Sequence, residues 1–245
     1  MSGSDDDGPE TQARRAMTAA KPIVFVVDDQ PSVRRSLTRL LVSAGYTVEA
    51  FASAREFLAR EPYAGPCCLV LDVRMPGLTG LALQEALAAV GRRTSIVFVT
   101  GHVDVPMSVK AMKGGAVDLL TKPVDDTDLL DAIQRAVAKD MKDLGREAFV
   151  AEIQDRVRLL TAREAEVLAL VVTGMLNKQI AAALGIGEKT VKVHRSRVME
   201  KMRAGSVAEL VRLADRVSVT ASRRPDSPPA ARPRHGVARA DALGA

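Results

Sequence analysis

Between Ile23 and about Lys139 the chain carries short apolar runs that are continuous rather than alternating. They are IVFVV (23–27), CLVLD (68–72), SIVFVT (95–100) and VDLLT (117–121), with a weaker YTVEAF (46–51). Strands covered on both faces read in this way, because neither side of the pleat meets water. The stretches between them repeat their apolar residues at helical spacing: Val33, Leu37, Leu40 and Leu41 in one, and Leu81, Leu83, Ala86 and Leu87 in another. Five strands alternating with five helices predict an α/β domain built on an open, doubly wound parallel sheet with right-handed crossovers.

The second half changes period. From 159 to 214 the pattern is wholly helical, with Thr161 and Glu164 spaced as a capping box and Gly174, Gly185 and Gly205 as stops. A small all-α unit of four helices is expected there. Between the two halves Ile133, Val137, Met141, Leu144, Ala148, Ile153 and Val157 recur at helical spacing among many charges. That pattern fits one long, partly exposed helix, or two broken at Gly145, which pair with their counterparts in a dimer; a solvated linker fits it as well. The expected organisation is a disordered 1–20, an α/β domain over 21–139, a helical linker over 140–155, a helical domain over 156–217 and a disordered, Pro- and Arg-containing tail over 218–245.

Charge sharpens this division. Residues 21–139 hold 14 basic and 13 acidic side chains, whereas 156–216 hold 12 and 6, so the positive excess belongs to the second half. A basic domain tethered to a balanced one points to a polyanionic partner for the former. No apolar stretch is long enough to cross a bilayer and the N-terminus does not read as a secretion signal, so a cytoplasmic protein without a membrane partner is expected. Cys67 and Cys68 are adjacent and open an apolar run, which suits small buried residues better than a redox pair.

In a doubly wound sheet the functional crevice opens at the carboxyl ends of the strands. Asp28 and Asp29 end the first strand, Asp72 the third, Thr100 the fourth and Lys122-Pro123, as a cis turn, the fifth. Any one of these would be an ordinary helix cap or solvated residue. Together they supply three carboxylates for a hard Mg²⁺ ion, an acceptor oxygen, an ammonium and a mobile hydroxyl, which is chemistry suited to phosphoryl transfer. The segments VVDDQPSVRRSL, LVLDVRMPGLTG, FVTGHVDVP and GGAVDLLTKP resemble, in order and spacing, the receiver domain of bacterial response regulators over residues 22–140. The resemblance implies a flavodoxin-like fold and phosphorylation of Asp72. It also implies Mg²⁺ held by Asp28, Asp29, Asp72 and the backbone carbonyl of Arg74, Gly77 serving the following loop, and a switch built from Thr100 and Lys122. Leu119 stands where these domains usually carry Tyr or Phe, which puts their usual coupling to the dimer face in question. Arg74 and His102 are expected either to tune the lifetime of the phosphate or to be plain loop residues.

In the helical half, 177–184 and 188–202 flank Gly185-Ile186-Gly187, the layout of a helix-turn-helix. The second helix offers Lys189, Thr190, Lys192, Arg195, Ser196 and Arg197, types suited to phosphates and base edges. The run LTAREAEVLALVVTGMLNKQIAAALGIGEKTVKVHRSRVMEKM resembles the LuxR-type helix-turn-helix. By that resemblance Glu164 holds the helices together, Lys192, Val193 and Ser196 approach bases, and Lys178, Thr190, Arg195 and Arg197 approach phosphates. His194 has no nearby Cys or His and is read as a packing or backbone-contacting residue. A receiver followed by this domain is the arrangement of the NarL/FixJ response regulators, with VRMPG, TGHVDVP and KP on the FixJ side. The implied partners are a sensor histidine kinase, double-stranded promoter DNA, a second copy of the chain upon phosphorylation, and RNA polymerase. No enzymatic nucleophile, metal cluster or nucleotide loop stands outside the pocket, so no enzyme activity on a separate substrate is expected. The competing expectation is a constitutive DNA-binding regulator whose receiver serves only protein interaction, motivated by Leu119.

Overall fold

The computed structural model describes residues 21–91, 94–102 and 104–221. The disorder expected of 1–20 lies outside them, as does the expected tail from 222 onward; the first four residues assigned to that tail, 218–221, instead belong to the last helix, Val207–Ala221. Five parallel strands, β1 (Ile23–Val27), β2 (Thr47–Phe51), β3 (Cys67–Asp72), β4 (Ser95–Thr100) and β5 (Asp118–Thr121), form one sheet in the order β2-β1-β3-β4-β5. They alternate with α1 (Pro31–Ser43), α2 (Ala54–Ala59), α3 (Gly80–Ala89), α4 (Val105–Lys113) and α5 (Asp126–Arg158). The helix starts are written locally: Pro31 opens α1, and the side chains of Ser53, Thr79 and Asp104 accept the first free backbone N–H groups of α2, α3 and α4.

The two faces of the sheet are buried separately. On one, Phe25, Leu69, Leu71, Ile96 and Phe98 pack with Phe57, Leu83, Leu87 and Ala111 of α2, α3 and α4. On the other, Val24, Val26, Cys68, Val70, Val97 and Val99 pack with Leu37 and Leu41 of α1 and with Leu129, Ala132, Ile133, Ala136 and Val137 of α5. The strand register aligns the chemistry. Val27 lies beside Leu71, Asp72 beside Val99, and Thr100 beside Thr121, so one further residue along each chain brings Asp28, Asp72, Thr100 and Lys122 to a single edge. Gly80 makes a close approach there: a Cβ on it would stand 2.3 Å from the carbonyl oxygen of Asp72, while its N–H donates to the Val73 carbonyl at 3.0 Å.

α5 is unbroken through Gly145, which settles the choice between one helix and two. Asp140 fastens it to the opposite edge of the sheet. Its carboxylate is 4 % exposed and accepts the backbone N–H of Cys67 at 2.9 Å and that of Ser95, tying the first residues of β3 and β4 to the helix. Burial raises the Asp140 carboxyl above the usual range although those two N–H groups pull it down. Burial, reinforced by Asp140, pushes the Cys67 thiol up to about 12, and both cysteines are buried as small core residues.

The chain divides into two compact units between Glu152 and Ile153. The second holds α6 (Ala162–Val172), α7 (Asn177–Leu184), α8 (Glu188–Lys201) and α9 (Val207–Ala221), the four expected helices. Its core is Ile153, Val167, Leu168, Val171, Ile180, Val191, Val198, Met202, Leu210 and Leu213. Gly174 and Gly185 take positive φ after α6 and α7, as stops should. Gly205 does not: after α8 the left-handed position is taken by Arg203, at φ 51°, and the N–H of Gly205 instead donates to Glu209. The sequence offers a glycine two residues too late, and the chain turns on an arginine.

Replacing Asp140 with Ala strands two strand-end N–H groups in the interior, each at a cost of about 1–3 kcal/mol. Urea denaturation is expected to show the first unit destabilised by about 2 kcal/mol or more, with Asp140→Asn, which keeps an acceptor oxygen, losing less.

Candidate functional site

At the carboxyl edge of the sheet the ammonium of Lys122 stands 2.6 Å from Asp28 Oδ2 and 3.0 Å from Asp72 Oδ2. The lysine is placed by its own backbone, whose N–H donates to the Thr100 carbonyl at 2.8 Å just before the cis Lys122-Pro123 bond. Asp28 and Asp72 are 2 % and 4 % exposed. The remaining oxygen of Asp28 accepts Gln30 N–H at 2.8 Å, and that of Asp72 accepts Arg74 N–H at 3.2 Å. Burial pushes the Asp72 carboxyl above the usual range, opposed by Lys122 and the Arg74 N–H. Burial works against the Lys122 charge too, but its hydrogen bonds to the two aspartates more than compensate and its pKa is raised. The lysine therefore stays an ammonium.

Carboxylate oxygens of Asp28, Asp29 and Asp72 lie within 4.8 Å of one another, the one such acidic group among the described residues. Three carboxylates against one ammonium leave a net negative pocket. Asp29 adds a second observation: its Oδ1 is buried and has no hydrogen-bond partner. An anionic oxygen left so, beside two others, fits a hard divalent cation bound through oxygen. The donor set is consistent with one.

Around this centre Thr100 is fully buried and its hydroxyl donates to the His102 carbonyl at 3.2 Å. Leu119 is half-buried and packs against the core on the α2–α4 face. Arg74 and His102 are exposed, and Gly77 takes φ 79° in the loop that follows Asp72. Arg34 is a contributor that no motif singles out: its guanidinium donates to the backbone carbonyl of Asp28 at 2.6 Å and holds the β1–α1 turn.

In the helical unit α7 and α8 meet through Gly185, at φ 64°, and the N–H of Ile186 closes the turn on Ala181 at 3.1 Å. Val191 and Val198 turn α8 inward, which leaves Lys189, Thr190, Lys192, Val193, Ser196 and Arg197 exposed. Lys178 is exposed on α7. Arg195 differs: it is half-buried and donates to Asn177 Oδ1 at 2.9 Å, linking the two helices. His194 is half-buried with Nδ1 enclosed and unpartnered. Glu164 closes the capping box of α6 by accepting Thr161 N–H at 2.9 Å, and the Lys201 ammonium sits 2.6 Å from the same oxygen. Lys201 also donates to the Leu159 carbonyl at 3.0 Å, so α8 is fixed to the start of α6 through a lysine that the sequence pattern does not single out.

Residues 24–134 match the family described as response regulator receiver domain, and residues 158–214 match bacterial regulatory proteins of the luxR family. Nodulation protein W of Bradyrhizobium diazoefficiens is 48 % identical over 211 residues, covering 86 % of this chain and 93 % of that protein. The transcriptional regulatory protein FixJ of Azorhizobium caulinodans is 43 % identical, covering 78 % and 90 %. Among solved structures, the response regulator StyR superposes with a TM-score of 0.72 at 46 % identity, over 80 % of this chain and 99 % of that one.

The Lys201 and Thr161 contacts hold the Glu164 carboxyl at about 2, below its ordinary 4.5. Its contribution to stability is therefore complete above pH 4.5 and disappears as pH falls towards 2. Thermal melts followed by circular dichroism should show Glu164→Gln less stable than the native chain at neutral pH, with the gap closing as pH drops through that window.

Proposed function

Since this chain belongs to the NarL/FixJ response regulators, a receiver joined to a LuxR-type DNA-binding domain that regulates transcription, we propose that Asp72 is its phosphoacceptor and the exposed face of α8 its reading surface. The observation that carries the pocket is the clustering of the Asp28, Asp29 and Asp72 carboxylates, two of them on the Lys122 ammonium, with a buried Asp29 oxygen left unpartnered. The phosphoryl group comes from the histidine kinase that a receiver implies. A carboxylate oxygen of Asp72 attacks phosphorus, and the bond from phosphorus to the donor histidine nitrogen breaks. Asp28, Asp29, Asp72 and the carbonyl of Arg74 would hold Mg²⁺, which would supply positive charge at the phosphoryl oxygens. Lys122 already lies on Asp72 and offers its ammonium to those oxygens without crossing the pocket. Thr100 must give up the His102 carbonyl to follow the phosphoryl group. Its departure opens space on the face of α4, β5 and α5, where Leu119 repacks and two receivers pair. Arg74 and His102, both exposed beside the pocket, tune the access of water.

On DNA, Lys192, Val193 and Ser196 meet base edges in the major groove, while Lys178, Lys189, Thr190, Arg195 and Arg197 meet phosphates. The Asn177 bond pre-orients Arg195 for that contact. A dimer places two such helices on an inverted repeat, and tethering turns two modest affinities into a specific one. Promoter-bound dimers then act on RNA polymerase, in the cytoplasm with the chromosome. The competing reading, a constitutive DNA binder whose receiver serves only protein interaction, is motivated by Leu119 at the switch position.

Light-scattering mass and binding to inverted-repeat DNA, each with and without Mg²⁺ and acetyl phosphate, separate the two. A phosphodonor-dependent dimer that binds more tightly, abolished in Asp72→Ala, is expected; equal mass and affinity throughout, with Asp72 unmodified, establishes the constitutive regulator. Lys178→Ala is expected to weaken binding alike on all sequences and to lower the slope of log affinity against log salt by about 0.9 per subunit.

A further inference from the structure

Outside the pocket an unassigned, strongly charged surface lies on α1. A cleft of about 450 Å³ runs between this helix and the edge strand β2, lined by Pro31, Arg34, Arg35, Thr38, Arg39 and Ala50. Three of its six lining residues are arginines. Arg35 and Arg39 are exposed and have no carboxylate partner among the described residues. The nearest acidic residue on β2, Glu49, alternates with Ala50 and so belongs to the other face of the sheet, the one that carries Phe51. The cleft therefore presents uncompensated positive charge, in a domain otherwise nearly balanced, and its guanidinium forks suit carboxylates or phosphates.

The chain itself contains a matching anion. Its first 13 residues hold Asp5, Asp6, Asp7 and Glu10 and no Lys or Arg. The other end of the chain has the wrong sign, with Arg223, Arg224, Arg232, Arg234 and Arg239 against Asp226 and Asp241. From Glu10 to Ile23 there are 13 residues, which extended reach roughly 45 Å. α1, at about 1.5 Å per residue, is only about 20 Å long, so the tether spans the cleft from the start of β1 with chain to spare. Such a tether gives the acidic block a local concentration in the millimolar range at the cleft.

We propose that the acidic segment 5–10 docks intramolecularly in the arginine cleft of α1. It makes charge-assisted hydrogen bonds to Arg35 and Arg39, with Arg34 contributing beside its bond to the Asp28 carbonyl. The segment then acts as a tethered competitor for that face of α1: a macromolecule with an acidic surface reaches the cleft only by displacing it. Because the contact is between exposed charges, it weakens as salt rises.

The test is paramagnetic relaxation in the full chain. A nitroxide placed on Ser4→Cys labels selectively, because Cys67 and Cys68 are buried. At low ionic strength the amide signals of residues 34–39 and 50 are expected to lose at least half their intensity. They should recover in 1 M salt, where the Debye length is about 3 Å. Recovery is also expected when Asp5, Asp6, Asp7 and Glu10 are all changed to their amides, and when Arg35 and Arg39 are changed to Gln. Undisturbed signals from the β3 and β4 amides establish that each variant is folded. Absence of attenuation at low salt overturns the proposal, as does attenuation that survives neutralisation of the acidic block. Attenuation seen only between differently labelled chains in a mixed sample assigns the segment to a second copy and overturns it too. Inorganic phosphate that shifts the α1 signals equally with and without the acidic block makes the cleft a free-anion site, and this also overturns intramolecular docking.

Discussion

Three carboxylates at the end of one sheet repel each other, and Lys122 is what allows them to converge. Its ammonium bridges Asp28 and Asp72, stays protonated because of them, and is set in place by a backbone bond to Thr100. The rest of the α/β unit can be understood as what makes this possible. A sheet buried on both faces holds the strand register to a single residue, and a slip of one would move every side chain to the opposite face. Asp140 ties α5 to the far edge, so the helix that leaves the receiver is fixed to the same strands that carry the pocket. Its hydrogen-bond partners there are backbone N–H groups.

The helical unit repeats this logic with one acid and one base. Glu164 has two tasks, capping α6 and receiving Lys201 from the end of α8, and together they orient α8, whose exposed face is the one proposed to read DNA. Charge is directed inward at Glu164, Lys201 and in part Arg195, and outward at Lys178, Lys189, Lys192 and Arg197. A count of basic residues does not distinguish the two uses.

The sequence is readable where the signal is local or periodic. Apolar runs locate four strands to within one residue and the weaker YTVEAF segment locates the fifth, β2, while the capping box at Thr161 and the turn at Gly185 lie where their residue types place them. The pocket is legible because each member ends an apolar run and the topology fixes where runs end. What is not legible depends on tertiary approach. Nothing in the spacing of Asp140 reveals that two strand ends need an acceptor. Lys201 and Asn177 look like any polar residues on an exposed helix face. Arg203 takes a left-handed conformation that composition would assign to Gly205, because the helix ends where Met202 is buried rather than where a glycine is available.

Gly80 takes no part in any chemistry, yet it is among the least replaceable positions. Any side chain there would push α3 away from the carbonyl of the aspartate at the centre of the pocket. Mutational drift at Gly80 is thus coupled to the geometry of Asp72 by excluded volume alone. A lineage can change its kinase, its promoters and most of its surface while that one hydrogen atom remains fixed.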